Sequence, residues 1–118
     1  MKKKVCQVIE DYHSPYPDPF IVNKGEILRI ENKECEWPGW IWSVKNDGEG
    51  RWVPMDHIEL QETQAKFIKD YNSIELTVST GQILTIEKES YGWIWVIDEN
   101  NKYGWIPLKN VKILEDKK

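Results

Sequence analysis

The chain has 118 residues and a formal net charge of −4. That balance makes nucleic-acid phosphates and anionic membrane surfaces poor partners, because only Lys2, Lys3 and Lys4 form a basic run. No apolar run approaches the roughly 18 residues that span a bilayer. Val5-Cys-Gln-Val-Ile-Glu-Asp11, which follows the lysines, has neither the apolar stretch nor the small-residue cleavage site of an export signal. A cytoplasmic location is expected. Cys6 and Cys35 both fall in the first half without counterparts in the second, so they are expected to be free thiols rather than a staple.

Residues 5–12 read as a first strand ending in Asp11-Tyr12, and 65–71 repeat it, ending in Asp70-Tyr71. His13-Ser-Pro-Tyr-Pro-Asp-Pro19 is a loop, because its three prolines forbid both helix and central strand. Gly25-Glu-Ile-Leu-Arg-Ile30 and Gly81-Gln-Ile-Leu-Thr-Ile86 are each a turn glycine followed by a strand with one buried face. Gly39-Trp-Ile-Trp-Ser-Val44 and Gly92-Trp-Ile-Trp-Val-Ile97 then open two hairpins. Their return strands end in Trp52-Val-Pro54 and Trp105-Ile-Pro107. After each proline, three residues and a β-branched one suit a single 3₁₀ turn into a last strand.

Trp40, Trp42, Trp52 and Pro54 recur 53 positions later at Trp93, Trp95, Trp105 and Pro107. The chain is therefore a duplication, with expected domains at 1–61 and 62–118. Domains this small sit near the lower limit for a self-sufficient core, and the tryptophans supply the bulk it needs. The joint, Gln61-Glu-Thr-Gln64, is too short to be a flexible tether, so a restricted mutual orientation is expected. The expected fold is all-β: two small, strongly bent, five-stranded barrels, each with a short 3₁₀ turn.

Both repeats resemble the Src-homology 3 (SH3) domain end to end. The opening motif of that family is represented by Val8-Ile-Glu-Asp-Tyr12 and Phe67-Ile-Lys-Asp-Tyr71. Its acidic loop end is similar to Asp18-Pro-Phe-Ile-Val22 and Ile74-Glu-Leu-Thr-Val78. Its closing motif is similar to Arg51-Trp-Val-Pro-Met-Asp-His-Ile58 and Gly104-Trp-Ile-Pro-Leu-Lys-Asn-Val111. The resemblance implies an aromatic groove for a polyproline II peptide, which is already extended and so costs little ordering entropy to bind. Carried over by position, one groove holds Tyr12, Trp40, Trp52, Pro54 and His57 with Asp18 as acidic partner. The other holds Tyr71, Trp93, Trp105 and Pro107 with Glu75. Glu10 and Lys69 replace one groove tyrosine of the family, and His57 and Asn110 replace another, so the proline pockets are degenerate. The partly aromatic His57 makes the first repeat the better candidate. Trp42 and Trp95 read as core or hairpin-packing residues.

The resulting expectation is a non-catalytic module for a protein or an extended, proline-rich peptide. The alternative is an assembly protein whose grooves are filled by packing between domains or between copies in an oligomer. A bacterial wall-binding SH3-like module is a weaker third reading, since such modules usually carry an export signal and an enzyme partner. No metal, cofactor or catalytic group is expected. Cys6, Cys35, His13 and His57 lack ligand spacing, no phosphate-binding glycine loop is present, and nothing orients a nucleophile.

Overall fold

The computed structural model describes residues 4–15, 18, 20–31, 33 and 38–114. Among the described residues twelve strands form: β1 (Lys4–Val8), β2 (Ile21–Val22), β3 (Ile27–Glu31), β4 (Trp40–Val44), β5 (Gly50–Pro54), β6 (Ile58–Gln61), β7 (Gln64–Phe67), β8 (Tyr71–Asn72), β9 (Ile83–Ser90), β10 (Trp93–Ile97), β11 (Tyr103–Pro107) and β12 (Val111–Leu114). Met55–His57 and Leu108–Asn110 are 3₁₀ turns at the two expected places, and no α-helix occurs among the described residues. The expected strands over 5–12 and 65–71 stop early, at Val8 and Phe67. Tyr12 is held instead by a single bridge to Val78, and Tyr71 by the short β2–β8 pair.

Each five-stranded sheet draws on both repeats. One runs β11-β10-β9-β1-β12, and the other β5-β4-β3-β7-β6. Thus β1 of the first repeat pairs with β9 and β12 of the second, while β7 of the second pairs with β3 and β6 of the first. Both sheets are open ribbons, in contrast to the closed barrels expected, since β11 does not pair with β12 nor β5 with β6. The expected division at 1–61 and 62–118 describes the repeats of the sequence, whereas the compact units trade their opening segments. Met1–Asp18 packs with Ile74–Lys118, called here the split unit, and Pro19–Ser73 forms the inserted unit.

The joint explains the exchange. Gln61 pairs directly with Gln64, so Glu62 and Thr63 make a two-residue hairpin turn, with Glu62 at φ 58°. A strand leaving so tight a turn must lie back along the strand it just left. The first repeat therefore closes with β7, and β1 is left to close the second. Loop-closure entropy agrees. The two exchanged closures span very few and very many residues, and because closure cost grows only slowly with loop length, the long one adds little.

Equivalent contacts survive the exchange. Gly25 N–H donates to the Phe67 carbonyl at 2.7 Å in the inserted unit, and Gly81 N–H to that of Val8 at 2.8 Å in the split unit. Both glycines have φ near +96°, a region open to them for want of a Cβ. The aspartate of each opening motif caps the same turn: Lys24 N–H donates to Asp70 at 2.7 Å, and Thr80 N–H to Asp11 at 2.6 Å. The core of the split unit is Cys6, Val8, Val78, Leu84, Ile86, Ile94, Val96, Ile106 and Val111. In the inserted unit Phe20, Val22, Leu28, Val44, Val53, Ala65 and Phe67 are buried. Cys6 is a free, buried thiol, and Cys35 lies outside the described residues.

Candidate functional site

Alternation along the hairpins sorts the tryptophans. In β10 and β11 the facing pairs Ile94–Ile106 and Val96–Gly104 turn into the core. Trp93–Pro107 and Trp95–Trp105 share the opposite face. In β4 and β5, Trp40–Pro54 and Trp42–Trp52 share one face in the same way. Trp42 meets Trp52 edge to face at 5.1 Å, and Trp95 meets Trp105 at 5.5 Å, so Trp42 and Trp95 are hairpin-packing residues.

In the split unit, Tyr12 is half-buried and stands edge-on to Trp93, with ring centroids 5.8 Å apart. Its hydroxyl donates to Glu75 Oε1 at 2.6 Å. Backbone bonds set the position of Glu75. Trp105 N–H donates to the Ile74 carbonyl at 2.9 Å, and Leu76 N–H to the Trp105 carbonyl at 3.2 Å. Gly104 permits this approach, because a Cβ there would lie 2.7 Å from Leu76 N and 2.9 Å from the Glu75 carbonyl carbon. Asn110, the residue that replaces a groove tyrosine, is buried and donates to the carbonyls of Glu10 and Asp11 at 3.2 Å each. It fixes the backbone that leads into Tyr12. The expected groove residues Tyr12, Glu75, Trp93, Trp105 and Pro107 thus meet in one unit, with Trp105 and Pro107 buried and Trp93 and Glu75 half-buried.

The inserted unit is built differently. Tyr71 is only 3 % exposed, donates its hydroxyl to the Trp52 carbonyl at 3.1 Å, and meets His57 edge to face at 5.3 Å. His57 is equally buried, with Nδ1 2.6 Å from Asp56 Oδ1. Arg51 occupies the place of Gly104, lying over the Phe20 ring at 5.6 Å and pairing with Glu49 at 3.4 Å. Trp40 and Trp52 are half-buried and Pro54 buried. Tyr12 and Asp18 belong to the split unit, so the two tyrosines have changed places relative to the expected grooves.

Sequence reasoning missed the Asn110 clamp and the role of Gly104. The contrast of Gly104 with Arg51 at equivalent positions was the available signal. Among the described residues, no group of three or more His, Cys, Asp or Glu residues is placed to hold a metal ion. No helix of the described chain is long and apolar enough to cross a membrane.

A model of the variant SH3 domain matches residues 5–61 and again residues 65–114. The chain belongs to this family. SH3 domains are generally protein-interaction modules and typically non-catalytic, which supports a binding role. The two SH3 matches follow the repeats of the sequence, although each SH3 unit of the fold borrows its first strand from the other repeat. No curated protein and no solved structure matches the chain.

Proposed function

We propose that the chain is a non-catalytic module that binds an extended peptide of a partner protein on the aromatic surface of the split unit. The observation that carries this reading is the cluster of Tyr12, Trp93 and Glu75. Two half-buried rings stand edge to face beside a carboxylate that accepts from the Tyr12 hydroxyl, on a segment fixed by backbone bonds. Flat rings accept proline side faces, and a carboxylate at their rim favours a basic residue of the ligand. With Asn110 spent on the Glu10 and Asp11 carbonyls, the pocket beyond Tyr12 loses one aromatic wall, so the ligand is anchored at the Trp93 end. In the inserted unit, the burial of Tyr71 and His57 favours a structural role.

The test is an amide and indole NMR titration of the full chain with proline-rich, arginine-bearing peptides. Shifts confined to Tyr12, Glu75 and Trp93, abolished by Trp93→Ala and retained in Trp40→Ala, support the reading. Peptides that leave every indole unmoved count against it and favour assembly through these faces.

A further inference from the structure

The aromatic face of the split unit does not end at Trp93. Trp95 follows on the same face of β10, and Tyr103, 49 % exposed, lies against it with ring centroids 5.4 Å apart. Lys88, directly opposite Trp95 on β9, holds its ammonium 5.4 Å from the Trp95 ring and 5.5 Å from that of Trp105. Lys88 is exposed and makes no ion pair with a carboxylate among the described residues. In the inserted unit, Lys33 stands over Trp42 at 3.9 Å, so the device recurs in the other unit.

The face therefore has two electrical ends, Glu75 at one and Lys88 at the other. Register measures their separation. Glu75 bridges to Trp105, Trp105 faces Trp95, and Trp95 faces Lys88, making three steps from strand to strand. At about 4.8 Å per step the two backbones stand about 14 Å apart, an upper limit for the charges, since the Lys88 ammonium reaches back to the Trp105 ring. An extended ligand rising about 3.1 Å per residue covers that distance in about four to five residues.

We infer that the split unit selects an extended peptide with a basic residue for Glu75 and, within about four to five residues of it, an acidic residue for Lys88. This rests on the peptide-binding reading above and adds the acidic half of the ligand. The bulky rings between the two charges favour apolar or proline residues in the interval.

The experiment uses the full chain and three labelled peptides of equal length, read by fluorescence anisotropy. One carries arginine and glutamate at that spacing, the second glutamine in place of the glutamate, and the third lysine there. The glutamate peptide is expected to bind tightest, by about three- to fivefold over the glutamine peptide, the range of a partly exposed ion pair. Lys88→Gln should erase that difference, and Lys88→Glu should shift preference to the lysine peptide. Equal binding of all three by the unaltered chain, or a glutamate preference that persists in Lys88→Gln, overturns the inference and leaves the binding reading standing. Failure of every peptide to bind overturns both. A Lys88→Gln variant that loses thermal stability with its selectivity intact shows that the lysine only covers the rings.

Discussion

The hydroxyl of Tyr12 lies 2.6 Å from Glu75 Oε1, joining residues 63 positions apart that come from different repeats. Tyr12→Phe keeps the ring against Trp93 and removes only this bond. A half-exposed hydrogen bond to a carboxylate is worth about 1 kcal/mol, and the split unit should lose that much. The indole signals of Trp93 and Trp105 should shift while those of Trp40 and Trp52 stay. Movement of the Trp40 signal instead would mean that Tyr12 packs within its own repeat.

Val8→Ala tests the exchange through the core. Val8 is 1 % exposed, pairs with Val111, and its carbonyl accepts from Gly81. Truncating it leaves a cavity costing on the order of 2 kcal/mol. Hydrogen exchange should quicken in β9 to β12, more than a hundred positions along the chain at the far end, and remain slow in β3 to β5. Faster exchange confined to β3 to β6 would show β1 closing the first repeat.

Strands, turns and hairpins were legible because each depends on local pattern: glycines at +96°, alternating apolar residues, and Pro54 and Pro107 ahead of single 3₁₀ turns. The partner of β1 was not legible. Val5-Cys-Gln-Val8 and Gln64-Ala-Lys-Phe67 present the same alternation, so either strand satisfies either sheet by pattern alone. Only the two-residue turn at Glu62 and Thr63 discriminates, and its shortness was read as a limit on orientation rather than as a hairpin. Tyr12, Glu75, Trp93, Trp105 and Pro107 were each named from the sequence as candidates, but which of them share a unit inherited the same ambiguity. The burial of Trp105 against the half-exposure of Trp52 follows from Gly104 and Arg51, a difference that matters only once the Ile74–Leu76 segment is seen against β11.

Gly104→Ala and Gly50→Ala should separate. At Gly104 the added Cβ meets the backbone of Leu76 and Glu75, which cannot swing aside. Overpacking of this kind costs about 1–3 kcal/mol, and Glu75 should move away from Tyr12. At Gly50 the Cβ meets the indole of Trp42, 2.5 Å away at Nε1, a side chain that can rotate. Gly50→Ala should cost less, disturb the Trp42–Trp52 pair and leave peptide binding unchanged. Binding lost equally in both variants would contradict the placement of the site in the split unit.

Asp11 sets an acid limb. The backbone N–H and hydroxyl of Thr80, at 2.6 and 2.8 Å, favour the carboxylate and hold its pKa below the ordinary value. A lowered folded pKa contributes stability above the unfolded pKa and loses it as pH falls through the folded one. The split unit should weaken in that acid range, and Asp11→Asn should flatten the loss in melting temperature measured against pH. An unchanged acid limb in Asp11→Asn would assign it to other carboxylates.

Cys6 sets the opposite limb. Burial disfavours the thiolate and pushes its pKa up to about 11. Here the folded value exceeds the unfolded one, so the contribution is full below the unfolded pKa and disappears as pH rises through about 11. Unfolding monitored between neutral pH and that value should show a loss of stability accompanied by thiol reactivity with a disulfide reagent. The control is in the fold itself. Ala65 occupies the equivalent position in the inserted unit, facing Leu28 as Cys6 faces Leu84. Cys6→Ala should therefore fold, lose a small packing contribution at neutral pH, and show no thiol-linked alkaline limb. A limb as steep in Cys6→Ala as in the unaltered chain would mean that other groups titrate there, and that burial of this thiol is not what couples the split unit to alkaline pH.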